Sequence, residues 1–360
     1  MIESNFNLKK LNLGKINKVV LFGDIHWGAR NNSDQHNMDN LDYIDWLIEK
    51  INVEQPSHIA FLGDWFENRN AINVKTLDYA SEGIKRLNQL NIPIIFIIGN
   101  HDLYHRGNRE VYSTHVYHEF KNVHLISEPT KLDNDWLVVP FLFKDEYSLI
   151  ASEINKYKYV LGHFEFRGFV VTGNTKTLDH GPDANLFSKS KYIFSGHFHK
   201  RQWNKNIIYI GNVFPTNFGD ADDKERGCCV FNEVRDDVKF YDWDKAPLFY
   251  KTTLSRVLNG DATFAEKSRV RCLLDLDVSY SEVQTLKEEM IDGFKLREFS
   301  VEEDGKMKQS SLEDGLETDD EVDMTSLDNT IRALISNGVK ETTSIKPTLL
   351  IEIYNDIKSK

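Results

Sequence analysis

The chain reads as an α/β fold opening on a parallel sheet, and two observations predict it. Apolar runs alternate with helical segments through the first hundred residues, and each run breaks at a glycine into a polar loop. Runs rich in β-branched and aromatic residues read as buried strands, and their alternation with helices reads as βαβ units. The strand-like runs end at Phe22, Leu62 and Ile98. Between the first two, residues 41–51 carry Leu41, Ile44, Leu47, Ile48 and Ile51, a one-sided stripe behind Asn40 as N-cap. Residues 74–90 give the second helix, and Pro93 precedes the third strand. Such a βαβαβ opening implies right-handed crossovers. Past residue 136 strands dominate and suggest a second sheet. A further unit starts near residue 250, with strand-like 269–278, helical 281–292 ended by Gly293, and strand-like 294–301.

Five of the strand breaks deliver a metal-seeking residue. They are VVLFGDIH (19–26), IAFLGDWFEN (59–68), IIFIIGNHD (94–102), YVLGHFEF (159–166) and YIFSGHFH (192–199). One GD after a strand is usually a turn with a helix cap. Five breaks of one kind suggest loops gathered at one sheet edge, where open α/β folds place their chemistry. Asp24 and His26 are two apart, as are His197 and His199, and in extended backbone such pairs project to one side. The set Asp24, His26, Asp64, Asn100, His163, His197 and His199 is too large for one tetrahedral ion and suits two. Carboxylate, amide and imidazole donors without thiolate favour Mn²⁺, Fe²⁺ or Zn²⁺. A pair of such ions clamps the attacking and leaving oxygens of a phosphoryl displacement.

D-x-H, GD, GNHD, GH and GHxH in this order resemble the signature of the calcineurin-like metallophosphoesterases. Segment 207–231, IIYIGNVFPTNFGDADDKERGCCVF, looks like the stretch after the last metal motif in DNA nucleases of the SbcD and meiotic-recombination-eleven type. GHFEFRGF (162–169), the length and the acidic tail look closest to phage-encoded recombination endonuclease subunits. The resemblance implies a layered α/β sandwich over residues 1–250, a small α+β capping domain over 251–301, an acidic linker over 302–325 and a helical partner-binding segment over 326–360. It implies that Asp24, His26 and His199 hold one metal, Asn100, His163 and His197 the other, with Asp64 bridging. Two Mn²⁺ are expected, with Mg²⁺, Fe²⁺ or Zn²⁺ as alternatives. His101 would protonate the leaving oxygen or steady the phosphate, and Asp102 would fix an imidazole orientation. The expected partners are DNA and a coiled-coil ABC-type ATPase of the SbcC class, with the chain a homodimer inside a heterotetramer. By the same resemblance the activities would be 3′→5′ duplex exonuclease and single-strand endonuclease. A phosphatase using the same site, and a mainly structural subunit, are the competing readings.

Composition bounds the rest. The net charge of −12 is unexpected for a DNA-binding chain. Of it, −8 falls in residues 301–325, where ten acids face Lys306 and Lys308. Such a segment reads as a disordered linker. Residues 326–337 and 347–357 carry apolar positions at helical spacing and suggest docking helices. His105, Arg106, Lys200 and Arg201 are candidate substrate contacts. The other histidines, His36, His58, His115, His118, His124 and His180, read mostly as surface or partly packed. Cys228, Cys229 and Cys272 have no metal spacing and read as buried, reduced residues. No apolar run is long enough to span a membrane, and the N-terminus lacks a signal-peptide stretch, so a cytoplasmic protein is expected.

Overall fold

The computed structural model describes residues 8–303, apart from 106, 173–175 and 180. The expected linker from residue 304, and the helices at 326–337 and 347–357, lie outside the described residues. Two sheets face each other. One has six strands in the order Asp237–Asp242, Gly227–Asn232, Lys18–Phe22, His58–Phe61, Ile94–Ile97 and Val123–Ile126. The last four run parallel, as the βαβαβ opening predicts. The other sheet has seven strands, with Trp136–Val139, Tyr159–His163, Tyr192–Gly196 and Ile207–Tyr209 parallel at its centre.

Alternation along each strand makes the layers. Val19 and Leu21 point between the sheets and meet Trp136, Val138, Leu161, Phe194 and Ile208 in one apolar interior. Their neighbours Val20 and Phe22 point the other way, onto helices Asp34–Glu54 and Val74–Asn88. On the far side, Leu137, Val139, Val160 and Ile193 pack against helix Glu146–Ile154, which the strand-dominated reading of that stretch did not anticipate. The result is the mixed α/β sandwich with helices outside. Among the described residues, no helix is long and apolar enough to cross a membrane.

The first helix begins much earlier than residue 41. It runs Asp34–Glu54, capped by Ser33, whose side chain accepts from the His36 N–H. Its first turns bury His36, Asn37, Asp39 and Asn40, so hydrophobic periodicity was blind to them. A smaller parallel sheet of Phe249–Thr253, Arg269–Leu273 and Glu298–Glu302 carries helix Tyr280–Phe294. One face is apolar, with Val270, Cys272 and Phe299 packed among partly buried Leu286, Met290 and Phe294. Gly293 does not stop this helix. The left-handed residue is Lys295, whose N–H reaches the Ile291 carbonyl, and the next strand starts at Glu298 rather than 294.

Candidate metal centre

Five loops from both sheets meet at the ends of parallel strands. Asp24, Asp64 and Asn100 follow adjacent strands of the first sheet, and His163, His197 and His199 belong to adjacent strand ends of the second. Asp24, His26, Asp64, Asn100 and His163 are buried, whereas His197 and His199 are half-buried and border the opening. Asp24, His26 and His199 offer ligand atoms within 4.8 Å of one another, as do Asp64, His163 and His197. Asn100 Oδ1 lies 2.8 Å from His163 Nε2 and 3.0 Å from His197 Nδ1. Asp64 Oδ2 stands between the groups, 3.3 Å from His163 Nε2 and 3.8 Å from His26 Nε2.

The backbone route to this convergence differs from the expected one. Asp24, His26, Asp64 and His197 all have φ between 49° and 91°, so the Asp24–His26 pair is turned inward by left-handed residues and not by extended backbone. Each such residue costs of order 1–3 kcal/mol and persists only where its surroundings enforce it. The glycines before the ligands have a steric reason. A Cβ on Gly63 would sit 2.4 Å from His163 Nδ1, and one on Gly99 2.2 Å from Asp64 Oδ1. At these two positions the backbone passes directly behind a neighbouring candidate ligand residue, where no side chain fits.

These residues fit a pair of divalent cations. Asp24 Oδ2 is fully buried without a hydrogen-bond partner. Imidazole nitrogens face one another at 3.2 Å (His199 Nε2 and His26 Nε2) and 3.3 Å (His197 Nδ1 and His163 Nε2), a spacing that a bound cation or a single shared N–H proton would satisfy. The electrostatics agree. Burial opposes charge on His26, yet Glu67, Asp64 and Asp24 outweigh it and push its pKa up to about 10. Burial likewise opposes charge on His163, but Asp64 and Asp24 hold it at about 9. Burial lowers His199 to about 4, with the nearby His26 adding to the effect. His26 and His163, the two beside the carboxylates, gather protons for the same reason that the site suits cations, whereas His199 and His197 are held neutral by burial.

His101 sits beside both groups, half-buried. Its Nδ1–H donates to the Glu67 carbonyl at 2.8 Å, since a carbonyl can only accept, and its backbone N–H donates to Asp64 Oδ1 at 2.9 Å. That leaves Nε2 as the atom able to accept or give a proton. Asp102 does not orient an imidazole as expected. Its two oxygens take the backbone N–H groups of Gly99, Asp64, Trp65 and Phe66, locking the second and third loops together. Arg201 pairs with Asp242 at 2.7 Å and lies over the Phe240 ring, so it also braces the strand Asp237–Asp242. His105 is exposed and edge-on to Tyr104, Lys200 directly follows His199 and is half-buried, and Arg106 lies outside the described residues.

Sequence reasoning missed Glu67 and the helix residues His36, Asn37 and Asn40. Glu67 Oε2 lies 2.8 Å from His26 Nδ1, close enough to pair in charge though off the line of the N–H bond. Its signal was an acid directly after Trp65–Phe66, three positions past Asp64 in an aromatic stretch. His36 Nε2 donates to the His26 carbonyl at 3.0 Å, and burial lowers its pKa to about 4.

The match to a known family agrees with this geometry. Residues 17–201, just over half of the chain, match the family described as calcineurin-like phosphoesterase. Exonuclease subunit 1 of Enterobacteria phage T4 is 28% identical over 229 residues, covering 62% of this chain and 67% of that protein. The SbcD component of nuclease SbcCD from Staphylococcus saprophyticus is 25% identical over 237 residues, covering 57% of this chain and 62% of that protein. A solved archaeal phosphodiesterase overlaps 63% of this chain and 99% of its own, at 14% identity and a TM-score of 0.35.

Proposed function

The chain belongs to the calcineurin-like phosphoesterase family, a metal-dependent hydrolase of phosphoesters, and from that premise we propose that it is the nuclease subunit of a DNA recombination or repair complex. The observation that carries the reading is the convergence of Asp24, His26, Asp64, Asn100, His163, His197 and His199 around one buried focus, with His101 beside it. Asp24, His26 and His199 would hold one divalent cation, Asn100, His163 and His197 the second, and Asp64 would lie between them. Bound there, two cations supply charge to polarise a phosphate and to lower the pKa of a water toward ~7. Manganese suits this mixed nitrogen and oxygen donor set. The protein's own part is orientation and proton handling. The Glu67 carbonyl fixes the His101 tautomer, so Nε2 is the atom that would pass a proton to the departing sugar oxygen. The second and third loops, tied by Asp102, keep Asp64 and Asn100 in register.

The nuclease names of the relatives support DNA as substrate and a further protein chain as partner. A coiled-coil ABC-type ATPase is proposed as that partner, bound by residues 326–360 beyond an acidic linker at 302–325. The unit at 251–301 is proposed as a cap on the DNA-binding side. A direct assay separates the readings: Mn²⁺ with a labelled duplex, a single strand and a generic phosphomonoester. DNA degradation is expected. Monoester turnover without it would instead make the chain a phosphatase, and neither activity with the ATPase present would make it a structural subunit. Deleting residues 326–360 should spare manganese-dependent cleavage and abolish ATPase capture; retained capture would refute the docking assignment.

A further inference from the structure

Helix Asp34–Glu54 presents two polar combs from its first turns. His36, Asn37 and Asn40 face the loop that carries Asp24 and His26. His36 Nε2 donates to the His26 carbonyl at 3.0 Å, Asn37 Oδ1 accepts the Gly28 N–H at 2.9 Å, and Asn40 Nδ2 donates to the Ile25 carbonyl at 3.2 Å. All three side chains are at least 97% buried, and they hold a loop in which Asp24, His26 and Gly28 are left-handed. The other comb faces the small sheet unit. Gln35 Oε1 accepts from Arg269 at 3.0 Å, Asp39 pairs with both terminal nitrogens of Arg297, and Asp42 pairs with Lys267 at 2.9 Å. Positions 35, 39 and 42 lie one helical turn apart, so they form one stripe. Asp39 and Arg297 are nearly buried, which makes their pairing sensitive to geometry.

One short stretch of helix thus touches both the unit at 249–302 and the backbone of a candidate metal loop, and a rigid helix cannot tilt at one comb without moving the other. We propose that the first two turns of this helix are a positioning element that makes the Asp24–His26–His199 cation site depend on the seating of the small sheet unit. The proposal rests on the two-cation reading above and adds a source of control to it. His36 acts through the His26 backbone and touches neither cation nor substrate.

The test titrates Mn²⁺ into the full-length protein and follows free ion by electron paramagnetic resonance, giving stoichiometry and both affinities. Three variants are compared: His36→Phe keeps the ring volume without the donor, His36→Gln restores a donor, and Arg297→Gln cuts the small-sheet comb at Asp39 without changing a candidate ligand. The parent is expected to bind two ions. His36→Phe and Arg297→Gln should weaken one of them about 10–100-fold and leave the other as in the parent. His36→Gln should recover most of the loss. Fewer than two ions on the parent would sink the metal reading and this one together. Two ions on the parent with unaltered affinities in His36→Phe and Arg297→Gln would overturn the positioning role alone, as would equal weakening of both ions, which marks general loosening of the fold.

Discussion

The interior between the two large sheets and the junction between helix Asp34–Glu54 and the small sheet are held by opposite chemistry. The first is Trp136, Val138, Leu161, Phe194 and their partners, apolar and fully buried. The second is Arg297 on Asp39, Arg269 on Gln35 and Lys267 on Asp42. Apolar interlock has no alternative arrangement of similar energy, because any shift opens a void. Polar contacts between units resemble transient interfaces and can re-form with water. The candidate metal loops therefore stand on a stiff sandwich and are held at one corner by a contact built to yield.

Four measurements put this contrast at risk. The largest effect belongs to the stiff part's chemistry: His101→Ala should slow turnover about 10²–10⁴-fold with metal content unchanged. Loss of metal by elemental analysis would show that His101 holds an ion instead. Within the sandwich, Trp136→Ala should cost about 3–5 kcal/mol in urea unfolding, since a fully buried ring leaves a cavity. A cost under ~1 kcal/mol would mean that the sheets are not interlocked there. At the junction, Asp39→Ala should cost about 3 kcal/mol by stranding Arg297, whereas Asp39→Leu with Arg297→Met should return to within ~1 kcal/mol of the parent. If the double variant is as weak as the single one, the junction is as specific as the core and the contrast fails. The smallest effect is in pH. His26, held at about 10, carries a proton at neutral pH that a cation must displace. Mn²⁺ binding should therefore release protons and tighten as pH rises from 6 to 8. Calorimetry in two buffers of different ionisation enthalpy checks it, and equal heats in both would contradict the assigned protonation.

Three strands of the first sheet were legible because β-branched runs ending in glycine are local signals, and Phe22, Leu62 and Ile98 sit within a residue of the observed strand ends. The residues gathered at the centre were legible because Asp, Asn and His recur at one kind of position. What was not legible depended on contacts distant in sequence. Asp102 looked like an imidazole partner because it follows His101, yet its oxygens serve the backbone N–H groups of Asp64, Trp65 and Phe66 in the neighbouring loop and of Gly99 in its own. His36 and Asn40 lacked any periodic signal, since a helix face that binds a polar loop backbone is itself polar. Arg201 looked basic and available until the strand Asp237–Asp242 brought Asp242 to it.

The cysteines divide between these two regions. Cys228 and Cys229 lie in a strand of the sandwich and Cys272 in the small sheet; all three are unoxidised and sealed, with burial pushing the thiols of Cys228 and Cys272 up to about 12. A maleimide can reach each only while its own strand is open. Mass spectrometry of timed labelling would therefore clock the breathing of the two halves separately, in one tube and on the native chain, with no engineered reporter.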